Sequence, residues 1–208
     1  MKELNLERSF RPEAFQTSIS KIVRTETYKI LKNIHGKILD VGCGNGIFLL
    51  EAAADYPEQF STYGVDMDFA ALENAKLVFL DNGHNPNRFI QGNAYCLPFA
   101  DNTFDAVFCK NTFMNISPIS TVASMIKEMH RVCKVEKYII FDFRNEYNPA
   151  ISITYKMNRI TNSLSTFAYK WKQFKPLVQE LNVKLVSLIP LGSKNLFLTK
   201  GYLAILEK

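Results

Sequence analysis

Long apolar runs are missing from this chain of 208 residues. No stretch approaches the roughly 20 uninterrupted apolar residues of a membrane-spanning helix. The first thirty residues carry acids and bases throughout, unlike a signal peptide, so a cytoplasmic protein is expected. Histidine is scarce, with three in the chain, and no group of His and carboxylates stands at ligand spacing, so no metal centre is expected. The four cysteines, Cys43, Cys96, Cys109 and Cys133, form no C-x-x-C pair, which favours buried free thiols over disulfides or zinc. Cys43 has no nearby histidine to activate it, which argues against a nucleophilic thiol. There is no internal repeat, low-complexity stretch or linker to cut at, so the chain reads as one domain.

Acidic charge is short in one place only. Residues 1–35 carry seven bases and four acids, residues 36–150 nine and fourteen, and residues 151–208 nine and two. The middle is therefore mildly acidic and the last stretch strongly basic, with Tyr155, Tyr169, Trp171 and Phe174 among its lysines. Such a stretch suits an anionic substrate, a membrane surface or nucleic acid, or is simply a solvated face.

From Ile38 onward, strand-like apolar runs alternate with helical ones. Ile38 to Val41 is followed by Phe48 to Ala54, and Thr62 to Val65 by Phe69 to Leu80. Arg88 to Gln91 and Phe104 to Cys109 read as further strands, Ser120 to Cys133 as a helix and Lys137 to Phe143 as a fifth strand. Strands joined by helical crossovers make a mostly parallel sheet with helices on both faces. After a helix expected around Phe167 to Leu181, the runs Lys184 to Ile189 and Tyr202 to Leu206 have no helix between them, so they form an antiparallel pair. Pro12 to Ile34 has near-helical apolar spacing and is placed beside the sheet or over the site, with Phe10 and Phe15 as lid residues.

The richest segment is Ile38-Leu39-Asp40-Val41-Gly42-Cys43-Gly44-Asn45-Gly46, an apolar strand emptied into a glycine turn that opens a helix. Glycines there let the backbone fold sharply and leave room for a ligand against the free amides of the helix start. The nicotinamide pattern G-x-G-x-x-G would need glycine at position 47, where Ile47 stands. That weakens the dinucleotide reading and leaves it open. Ligands of such sheets bind beyond the carboxyl ends of the strands. Those ends deliver Asp40, then Asp66 twenty residues after Gly46, then Gly92-Asn93-Ala94, then Lys110-Asn111. Asp66 suits the two hydroxyls of a ribose and disfavours a 2′-phosphate. Asn93 offers a donor and an acceptor to an adenine edge, or is only a turn residue.

This ordered set resembles the class I S-adenosylmethionine-dependent methyltransferases, of the small-molecule type related to quinone-biosynthesis methyltransferases. Residues 38–46 match the first family motif and Tyr63-Gly64-Val65-Asp66 the second. Gly92-Asn93-Ala94 with Leu97-Pro98-Phe99 and Asp101-Asn102-Thr103-Phe104-Asp105 matches the third, and Glu128 with Arg131-Val132 a fourth. The resemblance implies a Rossmann-like, doubly wound α/β fold, with a mostly parallel seven-stranded sheet, an antiparallel C-terminal strand and helices on both faces. It divides the chain into an N-terminal helical or lid segment (1–35), a cofactor-binding core (36–145), a helical substrate-side insertion (146–183) and a C-terminal strand pair (184–208). S-adenosylmethionine is the implied cofactor, leaving as S-adenosylhomocysteine. Gly42 and Gly44 would pass beneath its methionine part, with Gly46 in the same cofactor site, and Asp40 would lie near its amino group. Asp66 would hold the ribose hydroxyls, Asn93 and Ala94 would meet the adenine, and Met67, Lys110 and Asn111 would complete the site. Asn93 stands where the family most often has Asp, and Lys134-Val135-Glu136-Lys137 where it often has Lys-Pro-Gly-Gly.

The implied reaction is attack by an acceptor atom on the sulfonium methyl. A hydroxyl acceptor would gain from a general base. Candidates are Asp142, Arg144, Asn145 and Glu146 after the fifth strand, and His130, although a capped turn into a helix near Pro149 explains the first group equally well. Cys109-Lys110-Asn111-Thr112-Phe113 lacks the Asn/Asp-Pro-Pro-Tyr/Phe signature of many base and amide methyltransferases, which counts against DNA and glutamine acceptors. Asn111 and Asn115 frame a small-molecule pocket in this reading. A small-molecule acceptor is expected, from a glycan or lipid precursor, and anionic, sugar-bearing or lipid-linked in character. An RNA methyltransferase and a non-catalytic cofactor-binding protein are the alternatives.

Overall fold

The computed structural model describes residues 18–161 and 165–208. Seven strands form one sheet, β1 (Gly36–Val41), β2 (Phe60–Asp66), β3 (Phe89–Gln91), β4 (Phe104–Cys109), β5 (Cys133–Arg144), β6 (Lys184–Pro190) and β7 (Gly201–Glu207). Their order is β3-β2-β1-β4-β5-β7-β6. The first five run parallel, while β7 lies antiparallel between β5 and β6. The central strands are apolar at nearly every position because helices cover both of their faces; β4 is buried throughout. The strand order reverses between β1 and β4, so the crevice opens at the carboxyl ends of these two strands.

Six helices complete the described residues, α1 (Ser18–Leu31), α2 (Ile47–Asp55), α3 (Phe69–Asp81), α4 (Ile119–Val132), α5 (Pro149–Ile160) and α6 (Lys175–Glu180). None is long and apolar enough to cross a membrane. One core joins α4 and α6 to one sheet face through Met125, Met129, Phe141, Phe143 and Phe174. The other joins α1, α2 and α3 to the opposite face through Leu31, Phe48, Leu50, Ala75 and Phe79. Asp68 begins α3 by accepting from Ala71 N at 3.1 Å, which takes the capping role away from Asp66.

Several expectations need correction. The helix around Phe167 to Leu181 shrinks to α6, with Pro176 in its first turn fixing where it starts. Ahead of it come a 3₁₀ turn at Trp171–Gln173 and then, further back, an extended stretch, in which Phe167 N donates to Met114 O at 2.7 Å and Tyr169 N to Arg144 O at 2.8 Å. Strand β3 starts at Phe89, since Pro86–Arg88 forms a short 3₁₀ turn first. All four cysteines are free, but Cys96 is exposed where a buried thiol was expected. Residues Phe10 and Phe15 lie outside the described residues.

Candidate functional site

The glycine turn is left-handed at all three glycines, with φ of 75° at Gly42, 51° at Gly44 and 70° at Gly46. Each glycine meets different surroundings. A Cβ on Gly42 would lie 2.5 Å from Thr112 Oγ1, and one on Gly46 would lie 2.8 Å from the Phe89 ring. These two let the loop pack closely on β3 and on the segment after β4. A Cβ on Gly44 would meet nothing within 4 Å. Its side of the loop faces open space.

Asp66, at the tip of β2, holds this loop in place. Its Oδ2 accepts from Gly44 N at 2.7 Å and its Oδ1 from Asp68 N at 3.0 Å. The carboxylate therefore ties the glycine loop to the start of α3.

Asp40, at the end of β1, lies beneath the turn and is 4% exposed. Its Oδ2 stands 3.7 Å from Lys110 Nζ, while its Oδ1 is buried without a hydrogen-bond partner. The Lys110 ammonium lies over the face of Phe48. Burial pushes the Asp40 carboxyl up to about 6, against the pull of Lys110, and Asp66 and Asp142 push it the same way as burial. Burial lowers Lys110 to about 8, opposed by Asp40, Glu51 and Asp142. A buried carboxylate oxygen with no donor is costly unless a ligand completes it.

Above the turn is a cavity of about 260 Å³, whose lining includes Gly42, Asp66, Met67, Asn93, Ala94 and Asn111. Lys110 lies outside this lining and borders a smaller cavity of about 30 Å³ shared with Phe48, Glu51 and α1. Asn93 Oδ1 accepts from Tyr95 N at 2.9 Å, so it closes a turn as well as lining the cavity. The loop behind it is held by α4. Glu128 Oε2 accepts from Leu97 N at 2.7 Å, and Arg131, paired with Glu128, donates to Leu97 O at 2.9 Å and Phe99 O at 2.8 Å. Thr112, Ile116, Tyr95 and Met125 complete the wall. The first three adjoin segments already singled out in the sequence, whereas Met125 carries no local signal.

The acid-base candidates separate on burial. Asp142 and Arg144 are 1% and 3% exposed and bonded to each other. Asp142 Oδ1 also accepts from Asn111 N at 2.6 Å, and Arg144 Nη2 donates to Asn111 Oδ1 at 2.7 Å. This pair shapes the Asn111 turn, where φ is 54°. Asn145 donates to Leu196 O at 2.6 Å and Thr199 O at 3.1 Å, and so clamps a loop. Asn148 caps α5, accepting from Ile151 N at 3.2 Å. His130 sits in the last turn of α4, and its carbonyl accepts from Lys208 Nζ at 2.8 Å, at the sheet end opposite the crevice. Glu146 differs from these. It lies 3.2 Å from Lys170 Nζ and lines a further cavity of about 320 Å³ with Ser117, Ser152, Tyr155 and Arg159. Asn115 and Ile116 line the cavity above the glycine turn, and the next residues, Ser117, Pro118 and Ile119, line this one. Among the described residues no three His, Cys, Asp or Glu side chains are placed to hold a metal ion.

The family described as methyltransferase domain matches residues 38–136. Demethylmenaquinone methyltransferase of Geobacillus stearothermophilus is 35% identical over 98 residues, which are 47% of this chain and 41% of that enzyme. The chain thus spans less than half the length of that relative. Among solved structures, the PH0226 protein of Pyrococcus horikoshii OT3 superposes with a TM-score of 0.71 at 19% identity, covering 97% of both chains. A geranyl diphosphate methyltransferase in complex with SAM gives 0.70 at 11% identity, over 96% of this chain and 93% of the other. These two likenesses extend the shared fold across the whole sheet. A strand order that reverses beside a Gly42-to-Gly46 turn and an acid at the tip of β2 bonded to that turn accompany these likenesses: over residues 38–136 the chain is similar to the methyltransferase-domain family and to a demethylmenaquinone methyltransferase, and its sheet has the fold of a geranyl diphosphate methyltransferase that binds SAM.

Proposed function

We propose that the protein transfers a methyl group from S-adenosylmethionine to a small-molecule acceptor. The observation that carries this reading is the buried, donorless Asp40 Oδ1 beneath a glycine turn whose Gly44 faces open space. An ammonium group from an amino-acid ligand would give Asp40 Oδ1 its missing donor, while the ligand's chain would lie against Gly42 and Gly44. Asp66 already spends two lone pairs on Gly44 and Asp68 amides, and a carboxylate has about four. Two remain for ribose hydroxyls. Met67, 74% exposed at the rim, flanks that sugar, and Asn93 and Ala94 face the base. Lys110 balances the charge on Asp40, and Asn111, fixed by Asp142 and Arg144, closes the far wall.

The bound cofactor would supply a methyl already activated on sulfonium. What remains for the protein is to align the acceptor, exclude water and move a proton where the acceptor needs it. Glu146 is the candidate for that proton, because of the five acid-base candidates it is the one that lines a cavity described above. The Geobacillus relative is named for demethylmenaquinone, which makes a quinone the first acceptor to try, with glycan and lipid precursors next.

Calorimetry with S-adenosylmethionine, S-adenosylhomocysteine and NAD tests the reading on wild type and Asp66→Ala. Both sulfur ligands should bind wild type, and Asp66→Ala should weaken them roughly 10- to 100-fold, the worth of hydrogen bonds to a charged group. Tight NAD binding without a response to S-adenosylmethionine would overturn the assignment. Transfer of labelled methyl into cell extracts then separates an enzyme from a binding protein.

A further inference from the structure

Helix α5 points its apolar stripe outward. Tyr155 is its one buried residue, and its hydroxyl is bonded to Arg144 of β5. Ile153, Met157 and Ile160, at spacings of four and three, share the opposite side at 63%, 51% and 63% exposure. A surface helix ordinarily turns such a stripe toward its own core. Beside it is a second exposed apolar group. Leu196, Phe197 and Leu198 are 42%, 57% and 64% exposed, on a loop pinned to the start of α5. Asn148, the cap of α5, donates to Leu198 O at 3.1 Å, and Asn145 to Leu196 O at 2.6 Å. The loop is therefore tied to the N-cap of α5, five residues and about 7.5 Å of helix axis before Ile153.

Charge selects the occupant. Lys156 flanks the stripe on α5 and Lys194 flanks the loop, and both are exposed. Among the described residues neither lies within salt-bridge distance of a carboxylate. The only acids of residues 151–208 are Glu180 and Glu207, and these pair with Lys127 and Lys184. A second copy on this face would bring two basic surfaces together. An apolar stripe with basic flanks is instead the pattern of a helix lying in the headgroup region of an anionic bilayer.

We propose that α5 and the 192–198 loop dock the protein on an anionic lipid surface. Ile153, Met157, Phe197 and Leu198 enter the headgroup boundary, and Lys156 and Lys194 meet the lipid phosphates. The inner side of the same helix supplies Ser152 and Tyr155 to the 320 Å³ cavity, so docking brings that cavity within about one helix diameter, roughly 10 Å, of the lipid. Delivery of a lipid-borne acceptor to Glu146 would follow, and that step rests on the proposed methyl transfer; the docking itself does not.

Co-sedimentation with phosphatidylcholine vesicles, with and without phosphatidylglycerol, tests the proposal on wild type, Met157→Glu, Phe197→Glu and the double variant Lys156→Glu/Lys194→Glu. Wild type should pellet with anionic vesicles and not with neutral ones, and release as salt rises. Each lysine removed should weaken binding roughly fivefold, and either apolar substitution by more than that. All variants should keep the wild-type affinity for S-adenosylhomocysteine, which separates lost docking from lost folding. Absence of wild type from the anionic pellet, or equal pelleting of all variants, overturns the proposal. So does a concentration-dependent dimer abolished by Met157→Glu in a protein that ignores vesicles.

Discussion

Replacing Gly44 and Gly42 separately by alanine should rank the two variants oppositely in stability and in ligand affinity. Both have left-handed φ, 51° and 75°, which costs a residue with a Cβ about 1 kcal/mol. At Gly44 nothing more is added to that cost, because the new methyl meets no atom within 4 Å. At about 2–4 °C per kcal/mol for a chain of this size, Gly44→Ala should lower Tm by about 4 °C at most. At Gly42 the methyl would stand 2.5 Å from Thr112 Oγ1 and 2.8 Å from its Cγ2. Overpacking adds about 1–3 kcal/mol, for a fall of about 4–16 °C in total. Ligand affinity should rank the other way. The Gly44 methyl fills the space against which the cofactor must lie, so Gly44→Ala should bind S-adenosylhomocysteine at least about 100-fold more weakly, a loss of roughly 3 kcal/mol for a steric clash. Thr112→Ala in the Gly42→Ala background should restore the overpacking part of the lost Tm and leave the part due to left-handed φ, because it removes the contacts with Oγ1 and Cγ2. Scanning calorimetry and isothermal titration read the two quantities independently. Wild-type affinity in Gly44→Ala would refute the reasoning, since the open side of the loop would then not be the side that meets the cofactor.

Cofactor affinity should also depend on pH. Asp40, raised to about 6, must be ionised to hold an ammonium group. Binding should be level near pH 8 and fall by up to tenfold per unit as pH drops below about 6; a flat titration from pH 8 to 5 would contradict that role. Asp142→Ala should cost about 3–5 kcal/mol by leaving Arg144 buried without its partner, seen as a Tm at least about 6 °C lower; a loss under 1 kcal/mol would count against a shared structural pair. Among the four thiols, Cys96 should react with a disulfide reagent far faster than the rest. Burial raises Cys43 and Cys109 well above the ordinary thiol range and Cys133 to about 12, so rapid modification of two thiols in the native protein would contradict the packing.

How far the sequence could be read depended on whether a signal was local. The glycine turn, Asp66 and the alternation of strands and helices follow from neighbouring residues, whereas the strand order rests on pairings between distant segments. The stretch before α6 did not, because Phe167 and Tyr169 are held extended by partners some fifty and twenty-five residues away in sequence, Met114 and Arg144. Asp142 and Arg144 look like acid-base groups at a strand end, and only their depth in the structure shows them paired. Spacing marks α5 as amphipathic but does not say which side turns inward; Tyr155 decides that. Glu146 was one of several polar residues in a row until the cavity beside it was visible.

The bond from Gly44 N to Asp66 Oδ2 makes the two halves of the site thermodynamically dependent. A ligand fragment that engages the carboxylate also tightens or loosens the loop on which the other fragment rests, so adenosine and methionine cannot bind as independent guests. Joined in one molecule, they need the loop ordered only once. The site should therefore favour the whole cofactor over its parts by more than their separate affinities account for.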